Sequence, residues 1–301
     1  MQSRIESVSV ARAGVAEDEG FRHKFLTGVA FSWGFCAYFP IGVMYLNLLL
    51  MVTALAIWPG AKQALQRLRK QTVLLPLTLF VAWTLVATFS GEWFPDTGTR
   101  LFHTFRVALV LCLGMMLTPA RARVAFVGFL AGSIAAATIV AAHHVWGMPD
   151  WAIWSSLLVT RNNFSSGNMI TMATAAGACL VVGMADGLGR GTRWLLLALF
   201  VALALTVALH AVSRNSQLLL AGLMLIGLFY RFRSFKAAVG GVAVVVLLAV
   251  ATWQFSPTTH QRFVEMASDL NALTTTQNYR TSVGVRWRMY QEAVQGMSEH
   301  P

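Results

Sequence analysis

The sequence predicts an all-α integral membrane protein: a multi-span helical bundle of about nine spans with one large loop outside the membrane. Three observations predict it. Apolar residues fill 56% of the 301 positions and charged residues only 12%, where a soluble domain carries about 25%. Mean hydropathy is +0.61. The apolar residues gather in long uncharged runs, and a spanning helix needs about 20 of them. A net charge of +11 would suit nucleic acid, but the positive residues collect between the runs instead of forming one basic face.

Residues 1–24 are polar and mixed in charge, unlike a cleavable signal peptide, and form a tail on the inner side. Phe25–Gly60 holds 36 residues without a charge. That is too long for one span and enough for two short ones, broken at Pro40 and Gly42. Two spans leave the tail and the basic segment Lys62, Arg67, Arg69, Lys70 on the same side, as the positive-inside rule prefers. The remaining spans are expected at Thr72–Phe89, Leu101–Leu117, Val124–Val145, Asn168–Ala185, Trp194–Leu209, Gln217–Tyr230 and Ala237–Trp253. Pro119–Arg123, Asp186–Arg193 and Arg231–Lys236 turn on the inner side; Ser90–Arg100 and the Trp-rich Trp146–Gly167 turn on the outer side. The chain thus divides into a tail (1–24), a transmembrane domain (25–253) and an outer loop (254–301).

Fifteen of the 23 Lys and Arg residues fall on the inner side, every lysine among them. The other eight are all arginine: Arg100, Arg106, Arg161, Arg214, Arg262, Arg280, Arg286 and Arg288. Topology explains the inner excess but not an outer set made of arginine alone. The planar guanidinium fork suits bidentate contact with phosphate oxygens. Any one of these side chains alone fits an arginine reaching to the headgroups. Arg161 beside Asn162, Arg214 beside Asn215, and Arg286 with Arg288 together point to a shared anionic ligand such as a lipid-linked phosphate or pyrophosphate.

His300 is a candidate general base, because imidazole titrates near neutrality; a lone loop histidine is usually ordinary polar surface. Arg286–Glu299 reads as an amphipathic helix with Trp287, Tyr290, Val294 and Met297 to one side, ending before His300-Pro301. The fourteen residues from Arg286 to His300 span about 21 Å if the helix is straight. The two residues then serve opposite ends of an extended substrate, unless the helix breaks at Gly296. His103 and Arg106 sit one turn apart and are a buried polar pair candidate; an intramembrane arginine is functional by default.

His143, His144 and His210 read as interface residues. Gly128-x-x-x-Gly132 and Gly183-x-x-x-Gly187 read as helix-packing contacts. Cys36, Cys112 and Cys179 lie in apolar runs and read as small hydrophobes. No Asp or Glu falls in a predicted span, which lowers a proton-coupled carrier. No Asp/His cluster suggests a metal, so no metal or other cofactor is expected.

Four features resemble the O-antigen ligase and O-antigen polymerase superfamily: Ser213-Arg214 opening an apolar helix, Arg161-Asn162-Asn163 before a span, Arg286-x-x-x-Tyr290, and His300-Pro301 after it. The resemblance covers about Thr72–Pro301. It implies a GT-C-like glycosyltransferase of the bacterial inner membrane, N-terminus cytoplasmic and loop periplasmic. Its implied partners are undecaprenyl-pyrophosphate-linked glycan, a lipid A–core acceptor and membrane lipids, with no nucleic acid. It implies His300, Arg214 and Arg286 as catalytic, and Arg161, Asn162, Arg214, Arg286 and Arg288 as pyrophosphate-binding, with Arg106 and His103 further candidates. The family continues past its His-Pro with more helices, so the chain reads as the front part of a longer protein. A polymerase, a protein O-oligosaccharyltransferase and, from another class, a lipid-phosphate carrier or flippase remain as alternatives.

Overall fold

The computed structural model describes residues 20–39, 41–58, 60–90, 96–146, 159–160, 163–164, 166–210, 214–232 and 257–299, with scattered positions between 239 and 254. The chain divides into two compact units, Met1–Ala136 and Ala137–Pro301.

In the first unit, helix α1 covers residues 20–35 and runs into a short 3₁₀ turn, Cys36–Tyr38. It is followed by α2 (Ile41–Ala56), α3 (Ala61–Arg69), α4 (Leu74–Ser90), α5 (Thr97–Met116) and the start of α6 (Pro119–Trp146). The expected break near Pro40 and Gly42 is there: α1 and its 3₁₀ turn end at Tyr38 and α2 starts at Ile41. Leu26, Val29, Ala30, Met51, Ala54, Leu55, Leu113 and Leu117 form the core, drawn from α1, α2 and α5. Buried polar groups are bonded across helices: Asn47 Nδ2 donates to Ser32 Oγ at 3.0 Å, and the Tyr38 and Ser133 hydroxyls bond at 2.8 Å.

The Gly128-x-x-x-Gly132 pair is a packing contact, as expected. A Cβ on Gly128 would run into the carbonyl oxygen of Phe31, and one on Gly132 would lie 2.6 Å from that of Phe35. Gly34 stands in the same relation to the Ala125 carbonyl. Glycine on both sides lets the α1 and α6 backbones touch. Gly183-x-x-x-Gly187 differs: Gly183 packs on Leu196, but Gly187 has φ +88° and open space around it, so it makes the turn after the next helix.

The second unit holds the rest of α6, the strands β1 (Val159–Thr160) and β2 (Asn163–Phe164), then α7 (Ser166–Gly183), α8 (Arg190–His210), α9 (Arg214–Phe232), α10 (Pro257–Thr276) and α11 (Ser282–Glu299). The described residues between 239 and 254 are helical. Its core is the inner side of α7 (Met169, Met172, Ala173, Ala176, Cys179) against Leu203 and Val207 of α8 and Leu220 and Met224 of α9. Gly177 meets the Leu223 side chain, and Gly227 meets Val181 and Leu180. Small residues thus bring α7 and α9 together, where lipid offers no hydrophobic drive.

Among the described residues, helix is found in each segment expected to be an apolar run. Three are long and apolar enough to cross a membrane: Thr97–Met116, Pro119–Ala142 and Arg190–His210. A fourth arises if α2 and α3, bent by 107°, count as one span; Leu74–Ser90, Gly167–Gly183 and Asn215–Phe229 are shorter apolar helices. The chain is a helical membrane protein. Several expected turns are helix instead. Arg100 lies in α5, Arg121 and Arg123 in the first turns of α6, and Arg190 and Arg193 in α8. Proline suits a first helical position, and Thr118 Oγ1 accepts from the Arg121 amide at 3.3 Å, so α6 begins at Pro119. The segment expected as an outer loop is also largely helix. Pro257 opens α10, whose sequence lacks a run of apolar residues to announce it.

Candidate functional site

α7 and α9 lie side by side, and their C-terminal ends are joined by an ion pair, Arg231 Nη2 to Asp186 Oδ1 at 3.3 Å. The two helices are therefore parallel. Their N-terminal ends share the opposite end of the unit. One is Arg214, the first residue of α9. The other is Ser166, which follows the antiparallel pair β1–β2, with Val159 opposite Phe164 and Thr160 opposite Asn163. Helix N-termini carry free N–H groups and a partial positive charge, so two of them at one end favour an anion. Arg161 and Asn162, between the strands, lie outside the described residues, as do Ser213 and the side chain of Arg214.

Ser216, in the first turn of α9, was not singled out by its sequence. It is 0% exposed, and among the described residues its hydroxyl has no hydrogen-bond partner. A buried hydroxyl costs free energy unless bonded. Its spacing to Arg214 in Ser213-Arg214-Asn215-Ser216 was the available signal, but burial is not visible in four polar letters.

α10 and α11 form a helical hairpin with a closely capped elbow. Gln277 takes φ +50° and the Asn278 amide reaches back to the Ala272 carbonyl at 3.2 Å, closing the end of α10. Asn278 Oδ1 accepts from the Arg280 amide at 3.0 Å. Thr281 Oγ1 caps α11 by accepting from the Gly284 amide at 3.0 Å. Gly284 is buried under this turn: a Cβ there would lie 2.5 Å from the Asn278 carbonyl oxygen. Trp253 and His260 meet ring to ring at 4.5 Å, tying the start of α10 to the preceding segment.

The expected helix over 286–299 is α11, beginning one turn earlier at Ser282. It runs unbroken through Gly296, so the break there does not occur. Trp287, Tyr290, Val294 and Met297 form one stripe and are exposed. Arg286 is exposed near the start of the helix. Arg288 Nε donates to Glu292 Oε1 at 2.9 Å, one turn on; at the surface such a pair stabilises by only a few tenths of a kcal/mol. His300 lies outside the described residues, beyond the end of α11 at Glu299.

In the first unit, Arg106 is half-buried and Nη1 donates to the Tyr45 hydroxyl at 3.0 Å, with its guanidinium 5.7 Å from that ring. The partner differs from the expected one. His103 is exposed and packs beside Phe102 at 6.1 Å between ring centres, so the two residues one turn apart do not make a buried pair. Tyr45 comes from α2, 61 positions away in the chain.

Residues 198–301 match the family model described as O-antigen ligase. That stretch contains Arg214, Arg286, Arg288 and His300; Arg161, Asn162, His103 and Arg106 precede it. No significant match was found among curated proteins or among solved structures.

Proposed function

We propose that this chain, a member of the O-antigen ligase and polymerase superfamily through its domain over residues 198–301, is an O-antigen ligase. It transfers glycan from undecaprenyl pyrophosphate to lipid A–core oligosaccharide in lipopolysaccharide biosynthesis. The observation that carries this reading is the family match, which includes four of the arginine and histidine candidates. In this reading the chain is a nine-span protein of the bacterial inner membrane. The tail (1–24) is cytoplasmic, 25–253 spans the membrane, and 254–301 begins the periplasmic catalytic loop.

The chemistry follows from the residue types. The acceptor hydroxyl oxygen bonds to the anomeric carbon as the bond from that carbon to the pyrophosphate oxygen breaks, which inverts the centre. His300 takes the hydroxyl proton. Arg161, Arg214, Arg286 and Arg288, with the Asn162 amide, hold the departing pyrophosphate and stabilise its charge. The paired N-termini of α7 and α9 support an anion at the Arg214 end. The unbroken α11 supports Arg286 and His300 acting about 21 Å apart on an extended lipid-linked substrate. Arg106 and His103 complete the candidate set. The donor is already activated as a pyrophosphate ester, so neither metal nor nucleotide enters the scheme.

The test is transfer by full-length protein in detergent, with polyprenyl-pyrophosphate glycan, lipid A–core and EDTA. The expected product is a lipid A–core band shifted up a gel, lost in His300→Ala and in Arg214→Ala that still fold. Longer polyprenyl-linked glycan without a shifted band would identify a polymerase. Glycan on a Ser/Thr peptide would identify a protein O-oligosaccharyltransferase. Donor translocation retained in His300→Ala, without product, would identify a carrier.

A further inference from the structure

Two arginines of the first unit converge on one tryptophan. Gly60 lets the Trp58 indole fold back: a Cβ at residue 60 would meet Trp58 Cε2 at 2.6 Å. Over that indole lie the Arg121 guanidinium, 4.2 Å from its centre, and the Arg67 guanidinium at 5.7 Å. Arg67 comes from α3 and donates from Nη2 to the Met116 carbonyl at the end of α5, at 3.1 Å. Arg121 comes from the first turn of α6, and its Nη2 lies 3.2 Å from His23 Nδ1 of α1. Four helices thus meet at this cluster.

Its charge is not balanced. Arg121 is 4% exposed. The Nε atoms of both Arg67 and Arg121 are buried and, among the described residues, without a hydrogen-bond partner. Among the described residues neither arginine has a carboxylate within ion-pair distance, unlike Arg231 with Asp186 or Arg288 with Glu292. Stacking on an indole offsets part of the cost of burying a guanidinium. It leaves two like charges side by side, and buried charges are ordinarily paired. Each guanidinium also has more N–H donors than these contacts use.

We propose that Arg67 and Arg121, over Trp58, bind one phosphate group, and that its source is an anionic lipid headgroup. Two guanidinium forks match the oxygens of one phosphate. In the topology proposed above, Arg67 and Arg121 fall in inner-side segments between spans, where headgroups lie. α3 turns 107° from α2. It packs Ala64 and Leu68 into the protein and leaves Lys62 and Arg69 exposed, positive charges that suit an anionic headgroup surface. None of these residues belongs to the transfer site proposed above, so the two readings stand or fall separately.

The test uses full-length, delipidated protein in a maltoside detergent and native mass spectrometry. The probes are phosphatidylglycerol, the matching diacylglycerol, which has the same tails and no phosphate, and inorganic phosphate. Wild type should retain phosphatidylglycerol at least several-fold over diacylglycerol. Arg67→Ala should lose that preference. Arg121→Lys, which keeps the charge but not the fork, should lose most of it with its thermal midpoint little changed. Equal phosphatidylglycerol retention in wild type and both variants would overturn the site. Thermal stabilisation by inorganic phosphate without lipid preference would overturn the lipid source and leave a free phosphate as ligand. Binding that appears only after Glu17, Asp18 and Glu19 are changed to Gln would overturn the proposal by making the chain's own tail the occupant.

Discussion

An arginine inside an apolar helix has to meet a partner, and Arg106 meets Tyr45. Removing that hydroxyl leaves a half-buried guanidinium short of an acceptor. Tyr45→Phe should therefore lower stability by about 1 kcal/mol, read as a lower thermal midpoint in detergent, with the α1–α2 bond Asn47–Ser32 untouched. Ser216 invites the opposite expectation. Its buried hydroxyl has no partner among the described residues, so Ser216→Ala should leave stability unchanged or raise it by up to about 1 kcal/mol. If transfer also falls while stability holds, the hydroxyl is serving the substrate; unchanged transfer would remove it from the site. That Arg106 needed a partner was legible in its helix. Which residue supplies it was not, because α2 and α5 are brought together only by packing.

At the scale of an element, the α10–α11 hairpin depends on a turn with three side-chain or backbone caps and one buried glycine. Gly284→Ala puts a methyl group against the Asn278 carbonyl. It should open the elbow, seen as faster proteolysis within 277–281 and loss of transfer, while the α7–α8–α9 core keeps its thermal midpoint. α11 itself offers a sharper experiment. One alanine inserted after Glu292 moves everything beyond it by about 1.5 Å and 100°. Donor binding through the arginines should survive and transfer should collapse; undiminished transfer would separate His300 from the reaction. The amphipathic pattern of α11 was readable because Trp287, Tyr290, Val294 and Met297 recur at helical spacing. α10 was not, since its sequence mixes Thr, His, Gln and Asp with few apolar residues, and its helical state rests on neighbours and caps.

At the scale of the whole molecule, the proposed topology has all lysines on the inner side. In a cysteine-free background, Ala185→Cys should react with a membrane-impermeant maleimide only after the cells are opened. Ser282→Cys should react in intact cells. The reverse pattern would invert the protein and remove the periplasmic site. Stability at this scale rests on close helix approach. Gly34→Val would drive a branched side chain into the Ala125 carbonyl and should cost about 2 kcal/mol or more, visible as less folded protein recovered from membranes.

Hydropathy and charge pattern alone established a helical membrane protein, the positions of the apolar helices among the described residues and the break between α1 and α2. Those features are local: every backbone polar group in lipid must be satisfied within its own helix, so an uncharged run already specifies its structure. Residue order also carried the family resemblance that the match over 198–301 bears out. Tertiary packing decided what pairs with what: Tyr45 with Arg106, Phe31 with Gly128, Asp186 with Arg231, and Trp58 with two arginines. Each pair joins different helices or turns. A partner so far off in the chain is chosen by which small residues let two helices touch, and no single helix records that choice.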